Sequence, residues 1–158
     1  MYLKEFLEKF KNYKIKVFVD MDGVIADYDV GVPCNYDKKR PLFSSIKKLE
    51  EISVEPNIEL YILSISHMKE GIEQKNRWLD KNAPFFKKEN RVIIDRESNN
   101  FEHAKNLKTK FIKNLDNSED IIILIDDDVQ ILKEISLNTK KVILLKDTAL
   151  VDWDIKIL

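Results

Sequence analysis

Apolar residues follow two rhythms along this chain, and the rhythms alternate. Short runs dense in β-branched and aromatic residues occur at 16–19 (Lys-Val-Phe-Val), 58–64 (Ile-Glu-Leu-Tyr-Ile-Leu-Ser), 91–95, 121–125 and 142–145. Runs of this length and make-up predict strands buried in a sheet. Between them, apolar positions recur at helical spacing. Tyr2, Leu3, Phe6, Leu7 and Phe10 share one face of 1–12, and Ile46, Leu49 and Ile52 do so from a cap at Ser44 or Ser45 to the turn before Pro56. Ile72, Trp78 and Leu79 line one side of 68–81, which closes at Asn82-Ala83-Pro84. Phe101, Ala104, Leu107, Phe111 and Ile112 mark the inward face of 99–115, and Leu132 and Ile135 that of 129–137. Each stretch reads as an amphipathic helix laid against the sheet. The interval 26–41 is polar and broken by Gly31, Pro33 and Pro41, so it reads as a loop. The tail from 147 carries Trp153 and is expected to pack back on the domain.

Strands alternating with helices imply a parallel sheet covered on both faces. The expectation is an α/β, Rossmann-like, three-layer fold with a sheet of about five strands. No repeat, low-complexity segment or linker divides it, so a single domain is expected over 1–158.

The apolar runs end in polar chemistry. Val17-Phe18-Val19 stops at Asp20-Met21-Asp22-Gly23, and 121–125 stops at Asp126-Asp127-Asp128. A charge at the end of a buried strand is costly unless something neutralises it. A strand followed by an ordinary Asp-Gly turn would need no second carboxylate. Gly23 lets the backbone turn sharply and approach a ligand closely. The second run ends at Ser64, or at Ser66 if the strand is two residues longer. Parallel strands bring their carboxyl ends to one edge. With the fourth strand beside the first and the second on its other side, these groups meet at the topological switch point. Asp20, Asp22, Asp126 and Asp127 cannot share that edge without a cation, and a ligand set of oxygens alone favours Mg²⁺ over zinc.

Composition narrows the reading. Hydrophobic content of 44% beside 35% charged residues describes a soluble globular protein, and 158 residues can bury a real core. A net charge of −1 with no basic stripe argues against duplex nucleic acid, and no cationic amphipathic segment argues for a membrane surface. No run is long enough to span a bilayer, and 1–12 lacks the apolar core of a signal peptide. A lone cysteine, Cys34, excludes an internal disulfide and suits a reducing, cytoplasmic setting.

Asp20-Met21-Asp22-Gly23-Val24 after an apolar strand, a serine ending the next strand, and Leu124-Ile125-Asp126-Asp127 late in the chain resemble the haloacid dehalogenase superfamily of phosphotransferases. The resemblance implies that Asp20 is the nucleophile, forming an aspartyl-phosphate. It implies that Asp22 is the proton donor and later the base, its carbonyl also on Mg²⁺. By the same resemblance Ser64 (or Ser66) and Gly23 contact the phosphoryl group, while Asp20, Asp22, Asp126 and Asp127 hold the metal, with Asp128 an outsider in register. A lysine is also implied, to offset phosphoryl charge. Lys105, Lys108, Lys110 and Lys113 lie in the interval; Lys108 is the choice and Lys110 the alternative, because Lys108-Thr109-Lys110-Phe111-Ile112 is similar to the helix start before the last acidic motif of nucleotidase members.

Together with Lys75-Asn76-Arg77-Trp78-Leu79, these segments are most similar to 5′(3′)-deoxyribonucleotidases, which implies nucleoside monophosphates as small phosphorylated substrates. The chain departs from that pattern where those enzymes carry a helical cap. Its interval between the first two motifs leaves little more than the loop 28–41, an open site that would suit a larger substrate, a protein or a nucleic-acid end, or selection by an oligomer partner. A different class, a phosphorylation-dependent receiver, places its acidic pair on the first strand and its phosphoacceptor on the third. Here the third strand ends in Asp95-Arg96 and the acidic pair comes late, so order favours the phosphatase. His67 and His103 are expected at the surface, Tyr28, Tyr36 and Phe43 in packing, Asp27 and Asp29 in solvent, and Arg96 in a surface salt bridge.

Overall fold

A computed structural model describes residues 3–28 and 35–151. Tyr2, Asp29, Gly31, Pro33, Cys34 and Trp153 lie outside the described residues. The strands are β1 (Ile15–Val19), β2 (Ile58–Ser66), β3 (Arg91–Asp95), β4 (Ile121–Asp126) and β5 (Ile143–Lys146). The helices are α1 (Leu3–Glu8), α2 (Phe43–Ser53), α3 (Glu70–Asn82), α4 (Ala104–Lys113) and α5 (Val129–Asn138). The strands form one parallel sheet in the order β3-β2-β1-β4-β5, so β1 lies between β2 and β4. That order has the expected switch point at β1 and β4.

Alternation along the strands builds two cores. Val17 and Val19 of β1, Ile123 and Ile125 of β4, and Leu60 and Ile62 of β2 face a layer that includes Leu7, Leu49, Trp78 and Leu79. Phe18, Leu63, Ile122 and Leu124 face the other way, against Ile112, Ile131 and Ile135 of α4 and α5. Three layers result because the central strands are apolar on both faces. No described helix is long and apolar enough to cross a membrane.

Several element ends differ from expectation, each for a local reason. The α2 helix begins at Phe43, with Leu42 as an N-cap that makes no side-chain bond, so neither Ser44 nor Ser45 caps it. The β2 strand runs on to Ser66 because Ile65 and Ser66 still pair with Ile94 and Asp95. The α4 helix starts at Ala104 rather than 99. Asn100 and Phe101 both take φ +53, and the Arg96 guanidinium holds the Phe101 and Glu102 carbonyls at 2.6 and 2.7 Å. Arg96 therefore ties a loop, and among the described residues it forms no salt bridge. Phe101 is 48% exposed, not core, and its ring lies 5.5 Å from His67. Tyr28 and Phe43 are likewise exposed, at 65% and 73%, and Asp27 pairs with Arg40 at 2.6 Å.

Part of the supposed loop is ordered by α3. A single 3-10 turn, Tyr36–Lys38, sets the buried Tyr36 ring edge-on to Trp78, with centroids 6.0 Å apart. Trp78 Nε1 donates to the Lys39 carbonyl at 2.9 Å, and Arg77 pairs with Asp37 at 2.9 Å.

Candidate active site

Asp20 is the first residue beyond β1, and its N–H donates to the Ile125 carbonyl at 3.0 Å, which fixes it beside the end of β4. The chain then turns at once. The Met21 carbonyl accepts from Val24, Ile25 and Ala26, and the Gly23 N–H donates to the Ala26 carbonyl at 2.8 Å. Gly23 sits at φ +80, and a Cβ there would stand 2.1 Å from Asp127 Oδ2. Glycine is thus needed both for the left-handed turn and for the space that Asp127 occupies. Gly23→Ala is expected to displace Asp127 and cost at least tenfold in divalent-metal affinity, read by calorimetric titration. Unchanged affinity would mean that Asp127 does not serve the site.

Asp20, Asp126 and Asp127 each direct a carboxylate oxygen to one spot, these atoms lying within 4.8 Å of one another. Asp126 is fully buried; its Oδ1 accepts the Asp128 N–H at 2.9 Å. Asp128 is spent elsewhere, capping α5 by accepting from the Gln130 and Ile131 N–H groups. The cation of this cluster is Lys108, 2% exposed, which donates to Asp126 Oδ2 at 2.6 Å and pairs with Asp20 Oδ1 at 2.8 Å. Burial opposes the Lys108 charge, but the two carboxylates hold its pKa above the usual value. Lys110, two residues on, is exposed.

One ammonium cannot balance three carboxylates. Burial first, and then the Asp126 charge, push Asp20 up to about 6 despite Lys108. Burial and Asp126 also push Asp127 up to about 6. An all-oxygen donor set with surplus negative charge fits a hard divalent cation. Asp20, Asp126 and Asp127 are the side chains that could hold it.

Asp22 looks the other way. Lys39 Nζ donates to its Oδ1, and Lys75 Nζ donates to its Oδ2 at 3.1 Å. Burial would raise the Asp22 carboxyl, yet Lys75 and Lys39 carry it below its ordinary range. Lys75 is buried and also donates to Ser64 Oγ at 2.7 Å and to the Ile65 carbonyl at 2.8 Å, so all three of its protons are used. Burial lowers its pKa, with Asp22 and Asp20 opposing. Ser64, fully buried, is therefore joined to Asp22 through Lys75. Ser66 instead donates to the Met68 carbonyl at 2.6 Å and packs against Gly71.

The sequence places Tyr36 in packing, offers Lys75 only within the segment 75–79 and gives Lys39 no role, although the structure sets all three at the site. Lys75 has a readable signal. It stands on the apolar face of its helix with Ile72, Trp78 and Leu79, where a solvated lysine does not belong.

Similar folds occur among solved structures. A chain of the Pnkp1/Rnl/Hen1 RNA repair complex superposes with a TM-score of 0.65 at 14% identity, covering 85% of this chain and 43% of that one. The HAD domain of the effector protein Lem4 from Legionella pneumophila gives 0.55 at 15% identity, over 84% of this chain and 85% of that one. The class C acid phosphatase from Bacillus anthracis with tungstate bound gives 0.55 at 17% identity, over 98% and 78%. The chain has the haloacid dehalogenase fold. It spans less than half of the RNA repair chains, 43% and 46% of their lengths. No protein-family model and no curated protein matches the sequence.

Within this haloacid dehalogenase fold, two hollows open at the carboxyl edge of the sheet. One, of about 260 Å³, is lined by Asp20, Lys108, Asp126 and Asp127 together with Tyr28. The other, of about 280 Å³, lies between Tyr36–Lys39 and the start of α3. Asp22 and Ile65 line both.

Proposed function

We propose that this protein is a Mg²⁺-dependent phosphomonoesterase acting through an aspartyl-phosphate on Asp20, with nucleoside monophosphates as its first substrate class. The observation that carries the reading is Asp20 itself. It is a buried carboxylate at a strand end, paired with Lys108, grouped with Asp126 and Asp127, and followed two residues later by Asp22. The class C acid phosphatase among the proteins of similar fold supports it.

In this reading Asp20 attacks phosphorus and the ester oxygen leaves with a proton from Asp22. Lys39 and Lys75 favour the ionised form of Asp22 in the free protein, which is the form that removes a proton from the hydrolytic water in the second half. Asp22 must therefore gain its proton when the substrate enters. Lys75 occupies the oxygen of Ser64, which leaves the Ser64 hydroxyl proton to donate to a phosphoryl oxygen. Lys108 offsets the charge gathered on Asp20 and the phosphoryl group. A bound Mg²⁺ would supply charge neutralisation of the phosphoryl oxygens and the acidic cluster.

Among the described residues the interval between β1 and α2 holds one 3-10 turn, Tyr36–Lys38, which favours a second reading of the same chemistry, a phosphatase for a larger substrate such as a protein or a nucleic-acid end. Hydrolysis of para-nitrophenyl phosphate with Mg²⁺ and with EDTA, beside a panel of nucleoside monophosphates, tests both. Metal-dependent turnover with nucleotide preference is expected. Turnover without that preference would keep the chemistry and move the substrate to the larger class. No turnover on any ester would leave the receiver-like switch.

A further inference from the structure

The charges of the site are unevenly shared, and the imbalance reverses across Asp22. On the β4 side three carboxylates share Lys108. On the β2 side one carboxylate, Asp22, receives two ammonium groups, Lys39 and Lys75. The hollow on that side is also lined by Lys38, and its other carboxylate, Glu70, is exposed to solvent.

The same hollow holds donors without acceptors. The buried Tyr36 hydroxyl faces the Asp22 carboxylate, which Lys39 and Lys75 already occupy, and among the described residues it makes no hydrogen bond of good geometry, while its ring carries the Lys39 and Lys75 ammonium groups at 4.8 and 4.9 Å. A buried hydroxyl left without a well-placed partner is costly, so it calls for an acceptor. Gln74 Oε1 accepts the Tyr36 N–H at 3.4 Å, which commits its oxygen and leaves its amide hydrogens to donate.

We propose that this hollow is a second anion subsite, and that the substrate's leaving group carries a phosphate or phosphodiester of its own next to the ester being hydrolysed. The proposal rests on the phosphomonoesterase reading for the order of events. The two hollows share Asp22 and Ile65, so a leaving group held at Asp22 extends into the second one. An apolar leaving group would strand the Tyr36 hydroxyl. A neutral sugar or base would accept that proton but leave the surplus ammonium charge unused. A second phosphate satisfies both, taking the Tyr36 proton and charge-assisted bonds from Lys38 and Lys39. Such a group is found on a free nucleoside bisphosphate and at a phosphorylated end of a nucleic-acid strand.

Calorimetric titration of the Asp20→Asn protein in Mg²⁺ separates these cases. The ligands are a nucleoside monophosphate, the matching nucleoside 3′,5′-bisphosphate and a 5′-phosphorylated dinucleotide. At least one of the last two is expected to bind about tenfold tighter than the monophosphate, the worth of one charge-assisted contact. A lead for the bisphosphate marks a small-molecule substrate, and a lead for the dinucleotide marks a strand end. In the same background, Lys38→Ala and the volume-conserving Tyr36→Phe are each expected to shrink the ratio over monophosphate toward one. Equal affinities for all ligands, or a preference that survives both substitutions, would overturn the subsite. Wild-type turnover of para-nitrophenyl phosphate keeps the two proposals apart. Turnover without a preference for either the bisphosphate or the dinucleotide removes the subsite alone. Preference without any turnover removes the phosphomonoesterase reading and leaves an anion site.

Discussion

Asp20→Asn is expected to abolish turnover of phosphate esters, by a factor on the order of 10⁴ or more, as loss of a covalent nucleophile does. The fold is expected to survive. Asparagine matches aspartate in size, and Lys108 keeps its 2.6 Å bond to Asp126 when the Asp20 charge is gone. The Asp20 charge is also an electrostatic burden, since burial and Asp126 push the carboxyl up to about 6. Removing it relieves repulsion among three carboxylates served by one ammonium, so the metal-free variant should melt no lower than the wild type. Phosphate release and a thermal melt on the same preparations check both halves. Wild-type activity in a well-folded Asp20→Asn protein would end its role as nucleophile. A large drop in melting temperature would instead mean that the Asp20 carboxylate is structural.

The sheet was legible because its strands are apolar on both faces and stop at charges. Nothing but a buried parallel strand accounts for Ile-Ile-Ile-Leu-Ile ending in three aspartates. The α4 pattern also decides between its lysines. Ala104, Leu107, Phe111 and Ile112 define a face that includes 108 and excludes 110, and Lys108 is the one buried. The start of that helix was not legible, because it depends on left-handed Asn100 and Phe101 and on Arg96 reaching the Phe101 and Glu102 carbonyls, none of which leaves a periodic trace. Ser64 and Ser66 look alike in sequence and are both buried. What separates them lies on α3, where Lys75 meets the first and the turn at Met68 and Gly71 takes the second. Tyr36 and Lys39 were hidden for a similar reason. They sit in a polar interval that has no pattern of its own, and Trp78 and Arg77, some forty residues away in sequence, position it.

Lys108→Met is expected to have the largest effect on stability of any single change at the site. The substitution keeps the length and apolar stem of the side chain while removing the ammonium that serves Asp20 and Asp126. Breaking a buried ion pair by deleting one partner costs about 3–5 kcal/mol, because the remaining charge is left unpaired. For a chain of this size that corresponds to a fall in melting temperature on the order of 10 °C. The carboxylates left behind are those of the proposed metal cluster, so millimolar Mg²⁺ should recover more stability in the variant than in the wild type. The rate should not follow. A metal can neutralise Asp126 and Asp127, but nothing then donates to Asp20 and the phosphoryl group from the α4 side, and a loss on the order of 10²–10³ in kcat is expected at saturating Mg²⁺. Lys110→Met, on the exposed face, is expected to change neither quantity. The split between stability regained and rate still lost distinguishes a lysine that only balances charge in the resting protein from one that also acts on the reacting group. Full recovery of both with Mg²⁺ would reduce Lys108 to the first role, and a rate loss in Lys110→Met would transfer the second to its neighbour.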